Sequence, residues 1–260
     1  MDEQTNKREE ADKQRKNREE IKEQRNKGED AIRETNTQKE ADGFVDSVYC
    51  GSGVDGAGLR CVVFFSGCNL RCPFCHNPET LYNKGERYTA EALFEKLRRY
   101  KPYFKRGGVT LSGGEPFLQK TFLLELVALL KAEGIHVIAE TNGHICDREI
   151  LASLDGVVVD IKNQESDDLA VYDSFFAACK EVGCKAEATN VLVPDKNDAK
   201  EKLIALASLA KRWGVGLRFL PFRKLCEQKY EELALEFPYG SFREAEDEDV
   251  KKAEKALSNR

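Results

Sequence analysis

From Gly43 onward the chain reads as an α/β fold, a parallel sheet covered by helices, and three observations predict it. Short apolar runs of strand type alternate with longer stretches whose apolar residues recur every three or four positions, the rhythm of strand and covering helix. The polar, chemistry-bearing motifs fall directly after the apolar runs, where loops at the carboxyl ends of parallel strands build sites. And 260 residues are enough for one substantial core.

The first expected strand, Leu59 to Phe65, carries Val62-Val-Phe-Phe and leads into a cysteine-bearing loop. Gly108 to Leu111 leads into Ser112-Gly-Gly-Glu-Pro116, and His136 to Ala139 into Glu140-Thr-Asn-Gly143. Val157 to Ile161 opens on three valines and is closed by Asp160-Ile-Lys162; Ala186 to Val193 and Gly216 to Leu220 complete the set. Between them, Thr89 to Tyr100, Phe117 to Glu133, Asp147 to Leu154, Asp168 to Val182 and Lys196 to Trp213 have helical apolar spacing. Residues 1 to about 42 are different: almost all charged or amide residues, with Ile21 and Ile32 the only large aliphatics after the initiator Met. Such a segment cannot bury a core, and its mixed charges suit either a fraying exposed helix, with pairs such as Glu9 and Lys13, or disorder. The core domain is therefore expected over 43–260, with 1–42 a charged extension outside it.

A net charge of −5 leaves no electrostatic footprint for nucleic acid. No apolar run approaches the ~20 residues of a membrane span, and the amino terminus is charged, unlike a secretory signal. These features predict a cytosolic protein without membrane or nucleic-acid partners, whose nine cysteines stay reduced. Six of them, Cys50, Cys61, Cys146, Cys179, Cys184 and Cys226, lack ligand spacing and are expected to act as small buried hydrophobes. Cys179 and Cys184, five apart, are the pair able to meet.

The remaining three stand in Cys68-Asn-Leu-Arg-Cys72-Pro-Phe-Cys75, a C-x3-C-x2-C run. Structural zinc and most iron–sulfur clusters take four protein ligands, so a compact triplet points to a cluster with one iron open to something else. A zinc site completed by His76 is the alternative, but adjacent Cys75 and His76 converge poorly on one tetrahedral ion. Gly113 and Gly114 expose backbone at a strand-to-helix turn, which suits either a close-approaching polar ligand or a tight connection. Asp160 and Lys162, two apart at a strand end, project to the same side and suit a ribose hydroxyl or cation and a carboxylate respectively; a plain surface ion pair is the other option.

Taken in order, Asp55-Gly-Ala-Gly58-Leu-Arg60, Val62 to Cys68, Cys75-His-Asn-Pro78, Gly108 to Pro116 and Glu140-Thr-Asn-Gly143 resemble the radical S-adenosylmethionine (SAM) superfamily. Within it they are most similar to the activating enzymes of glycyl radical enzymes, of the pyruvate formate-lyase type. The likeness runs from about Gly53 to about Tyr230, without the cysteine-rich ferredoxin-like insert of the dehydratase and decarboxylase activases.

The resemblance implies a partial (β/α)6 barrel of radical SAM type and a [4Fe-4S] cluster on Cys68, Cys72 and Cys75. It implies SAM contacts at Phe74, Cys75, His76, Gly113, Gly114, Asp160, Ile161, Lys162 and Arg223, and a monovalent cation at Glu140, Thr141 and Asp160. The implied chemistry is reductive cleavage of SAM to methionine and a 5′-deoxyadenosyl radical, which takes the α-hydrogen of a glycine in a partner glycyl radical enzyme. The electron comes from a flavodoxin- or ferredoxin-like donor, and no acid–base pair is needed. Three departures stand out: Ala57 replaces a proline, Thr189-Asn190 stands where an arginine is frequent, and Leu220-Pro-Phe-Arg223 ends in arginine rather than histidine. The other readings are an activase of a different glycyl radical enzyme and a nonenzymatic iron–sulfur or zinc protein.

Overall fold

The computed structural model describes residues 42–82, 84–166 and 168–258; residues 1–41, almost all of the charged extension, lie outside these. Residues 43–260 form one compact unit. Its sheet is built from β1 (Gly43–Ser52), β2 (Arg60–Phe65), β3 (Glu86–Tyr88), β4 (Gly108–Gly113), β5 (Val137–Thr141), β6 (Gly156–Asp160), β7 (Ala186–Leu192) and β8 (Gly216–Pro221). The spatial order is β3-β1-β2-β4-β5-β6-β7-β8. From β2 onward all neighbours are parallel, while β1 runs antiparallel to both β2 and β3. The six expected strands are all present within a few residues of their expected ends, and the α/β class with them.

The sequence reading did not anticipate β1 and β3. In β1 the register with β2 slips between Val45 and Ser47 and again between Cys50 and Ser52. Each slip interrupts the two-residue alternation by which a half-buried strand is recognised. The same pairing corrects the expectation that every cysteine is reduced: Cys50 lies opposite Cys61 in the β1–β2 ladder, their Cα atoms 4.0 Å apart, and the two form a disulfide. Directly opposed residues of an antiparallel pair are the ones whose side chains come closest. Cys179 and Cys184 do meet, hydrogen-bonded to each other as free thiols, with Cys179 buried as expected.

The helices are α1 (Ala90–Arg98), a short α2 (Lys101–Phe104), α3 (Lys120–Ala132), α4 (Arg148–Ser153), α5 (Ala170–Val182), α6 (Lys200–Trp213), α7 (Glu227–Glu232) and α8 (Asp247–Ser258). Local side chains decide their starts. Thr89 accepts the Ala92 N–H ahead of α1, and Asp147 accepts the Glu149 and Ile150 N–H groups ahead of α4. α3 begins later than expected because Pro116 to Gln119 first form a 3-10 turn capped by Glu115. α6 is delayed to Lys200 because Lys196 and Asn197 turn back onto the Val193 carbonyl.

One face of the central strands is sealed in the main core, where Val63, Phe65, Leu111, Val137, Val159 and Ala188 have no exposed surface. A second, smaller core joins Phe74, Val193, Phe222, Tyr239 and Ala245, bringing the segment after α7 against the cysteine loop.

Candidate active site

The carboxyl ends of the parallel strands open onto a cleft of about 450 Å³. Cys68, Cys72 and Cys75 line it, on a loop held by Gly67 N–H to Thr80 O at 2.7 Å and Cys75 N–H to Cys72 O at 3.1 Å. Burial pushes all three thiols up, Cys75 to about 11, while the Lys162 charge favours each thiolate. Buried thiols of this kind ionise when a metal takes the place of the proton. Among the described residues no three His, Cys, Asp or Glu side chains are gathered around a single-ion position. Three thiols on one short loop are the donor set of an iron–sulfur cluster that keeps one iron open. His76 is not a fourth ligand here: its Nε2 donates to the Arg223 carbonyl at 2.7 Å.

Across the loop, Gly113 ends β4 and Gly114 follows it. Gly113 has φ +103°, and a Cβ there would lie 2.4 Å from Phe65 N; a Cβ on Gly114 would lie 2.1 Å from Gly67 O. Gly113 is therefore required by its contact with the end of β2 and Gly114 by its contact with the start of the cysteine loop, and both also line the cleft. Glu115, fully buried, ties β4 to β5: its carboxylate accepts Phe117 N–H, Thr141 Oγ1–H and Asn142 N–H at 3.1, 2.9 and 2.9 Å. Burial nonetheless raises this carboxyl above its ordinary value.

An acidic corner faces the cysteines. Glu140 accepts Ser112 Oγ–H at 2.6 Å, and burial, with Asp55 and Asp160 nearby, raises its carboxyl. Asp55 is held there by a relay in which Arg60 Nε donates to Thr110 Oγ1 and Thr110 Oγ1 to the Asp55 carbonyl, each at 2.6 Å. Asp160 pairs through Oδ2 with Lys162 Nζ, and its Oδ1 is buried without a hydrogen-bond partner. Burial works against the Lys162 charge, yet Asp160 raises its pKa, and its ammonium lies 5.1 Å over the Phe74 ring. Tyr172 OH fixes the turn by accepting Lys162 N–H at 2.7 Å, with His144 Nε2 on its far side at 3.3 Å.

Of the residues singled out in the sequence, Cys68, Cys72, Phe74, Cys75, His76, Gly113, Gly114, Glu140, Thr141, Asp160 and Lys162 come together around the cleft. Ile161 turns its side chain into the main core and offers only backbone. Arg223 does not reach the cleft: its guanidinium donates to Ala245 O and stands 3.8 Å from Asp247. The chain after Phe222 folds back and supplies these partners, while the Arg223 carbonyl stays beside the cleft as the acceptor for His76. Phe74 has more core around it than its place between two cysteines suggested, with the Tyr239 ring 5.9 Å away. Lys162 lies just beyond the end of β6 rather than on it.

Sequence reasoning missed Asn142, which donates to Asn69 Oδ1 at 2.8 Å beside Cys68, and also Asp55, Thr189 and Arg218, which line the cleft. For Arg218 the available signal was a charge in mid-strand, on the face opposite Leu217 and Phe219.

The family model for a 4Fe-4S single cluster domain matches residues 54–170. A pyruvate formate-lyase-activating enzyme of Clostridium pasteurianum is 41% identical over 220 residues, covering 78% of this chain and 92% of that one. One from Streptococcus mutans is 32% identical over 242 residues, covering 84% and 92%. Among solved structures, a radical SAM methyltransferase from Sphaerobacter thermophilus aligns with a TM-score of 0.55 at 16% identity, over 76% of this chain and 63% of that one. QueE from Escherichia coli aligns at 0.52 and 17%, over 75% and 92%. These two share the fold. The identity and coverage of the first two carry the closer kinship: the chain belongs to the pyruvate formate-lyase-activating enzymes, radical SAM enzymes whose cofactors are a [4Fe-4S] cluster and SAM.

Proposed function

We propose that this enzyme installs the glycyl radical of a pyruvate formate-lyase-type partner, fed by a flavodoxin- or ferredoxin-like electron donor. The observation that carries the reading is the pairing, within one cleft, of three half-buried thiols on one loop with a buried carboxylate oxygen, Asp160 Oδ1, that lacks a partner. Bound together, the cluster and SAM supply one-electron cleavage at the sulfonium and hydrogen abstraction from a backbone glycine.

The chain's own residues bind, orient and exclude water. Cys68, Cys72 and Cys75 would hold the cluster, and Gly113 and Gly114 would present backbone to the methionine amino group. Phe74 and the His76 backbone would border the adenine. Asp160 Oδ1 would meet a ribose hydroxyl or, with Glu140 and Thr141, a monovalent cation, whose preference for hard oxygens fits this corner. Lys162, held by Asp160 and Tyr172, would face the SAM carboxylate. The buried aromatic core behind Phe74 would keep water from that side of the cleft.

The test is anaerobic reconstitution with iron and sulfide, then incubation with SAM, reductant and pyruvate formate-lyase. A glycyl doublet in the electron paramagnetic resonance spectrum is expected. SAM cleavage without a doublet on that partner would sink the assignment of partner while leaving the chemistry intact.

A further inference from the structure

Arg218 stands outside every role assigned above. On β8, Leu217 and Phe219 pack with the main core, whereas Arg218 and Leu220 line the cleft. The ladder pairs Asp160 with Thr189 and Thr189 with Arg218, so three neighbouring strands carry one rung of polar side chains on the cleft side.

Lys162 and Arg218 are the strong cations lining the cleft, against the carboxylates Asp55, Glu140 and Asp160. Lys162 is already engaged, paired with Asp160, set over Phe74, and with its side chain only 20% exposed. Arg218 is loosely held. Its ion pair with Glu187 spans 3.9 Å between side chains 57% and 65% exposed, an arrangement worth little. Its charge also reaches Glu140, opposing the rise that burial imposes on that carboxyl.

An incoming carboxylate meets a cleft with more acidic side chains than cations, and the lysine is largely neutralised by its partner. A guanidinium with no strong commitment, on the rung of Asp160, is the group left to receive it. Its planar fork matches a carboxylate at two points, which a lysine cannot do. Building on the SAM reading above, we propose that Arg218 is a positioning residue that takes the methionine carboxylate of bound SAM beside Lys162. A charged side chain on an edge strand also discourages pairing with another sheet, a role that asks nothing of SAM.

The test measures dissociation constants by anaerobic equilibrium dialysis on the cluster-loaded enzyme, with SAM and with decarboxylated SAM. Arg218→Ala should weaken SAM about tenfold to a hundredfold, the range for a charged hydrogen bond, and leave decarboxylated SAM unchanged. Arg218→Lys should fall between wild type and Arg218→Ala for SAM, and Glu187→Ala should bind SAM at least as well as wild type. Equal weakening toward both ligands, or no weakening toward SAM, would overturn the proposal. A cluster-loaded wild type that binds neither ligand would instead overturn the SAM reading, and this proposal with it.

Discussion

At the scale of single residues the cleft is a set of groups whose ordinary states are unfavourable without an occupant. Three thiols are driven toward protonation by burial beside a lysine that favours their thiolates. Cys72→Ala should therefore lose most of the reconstituted iron, whereas Cys179→Ala should retain it; full iron in Cys72→Ala, read by iron analysis after desalting, would count against the ligand set. The spacing of these cysteines was visible in the sequence because ligands on one loop are local. Arg218 and Asp55 were not, since their nearness to Asp160 and Glu140 is made by strand register and a side-chain relay that no linear motif records. The partners of Arg223 were hidden for the complementary reason: Ala245 and Asp247 come from a later stretch of chain.

At the scale of elements, buried polar contacts set where strands and helices begin. Asn197 accepts Val193 N–H at 2.8 Å and donates to Asn163, Asn190 and Val191 at 3.0, 3.0 and 2.9 Å, all in one buried knot behind the Lys162 turn. Asn197→Leu strands several of these groups at once, and a loss of about 2–4 kcal/mol in denaturant unfolding is expected. Asp155 acts at the start of β5, accepting Val137 N–H at 2.7 Å and pairing with Lys131. Burial pushes its carboxyl up, but Lys131 and the Val137 amide outweigh burial and hold it below the ordinary 3.8. A depressed carboxyl stabilises the fold above its ordinary value and loses that contribution as pH falls through the folded one. Asp155→Asn should cost about 1 kcal/mol near neutral pH, and its melting curve should converge with wild type as the pH falls through the depressed value of the folded carboxyl. A gap that persists in acid would point to geometry rather than charge. Helical periodicity and the valine-rich runs made most elements readable in advance. β1 was obscured by its two register slips, and the start of α6 by a turn that depends on the buried Asn197.

At the scale of the molecule, the compact unit over 43–260 contains every group that lines the cleft. Removing residues 1–41 should leave cluster content and SAM cleavage unchanged, and any loss should appear only in glycyl radical installation and shrink as salt rises, because charged tails act through screened long-range attraction. Loss of cluster on truncation, seen by its visible absorbance, would move the boundary. The parallel sheet has a further consequence. Because the cysteine loop and the motif loops after β4, β5 and β6 hang from the carboxyl ends of the strands, the turn that leads from α5 into the amino end of β7 serves to reverse the chain. That turn, around Gly183, is exposed. A fluorophore, a surface tether or a new pair of chain ends placed there would leave the chemistry facing solvent on the other side, giving an air-sensitive catalyst a handle at its back.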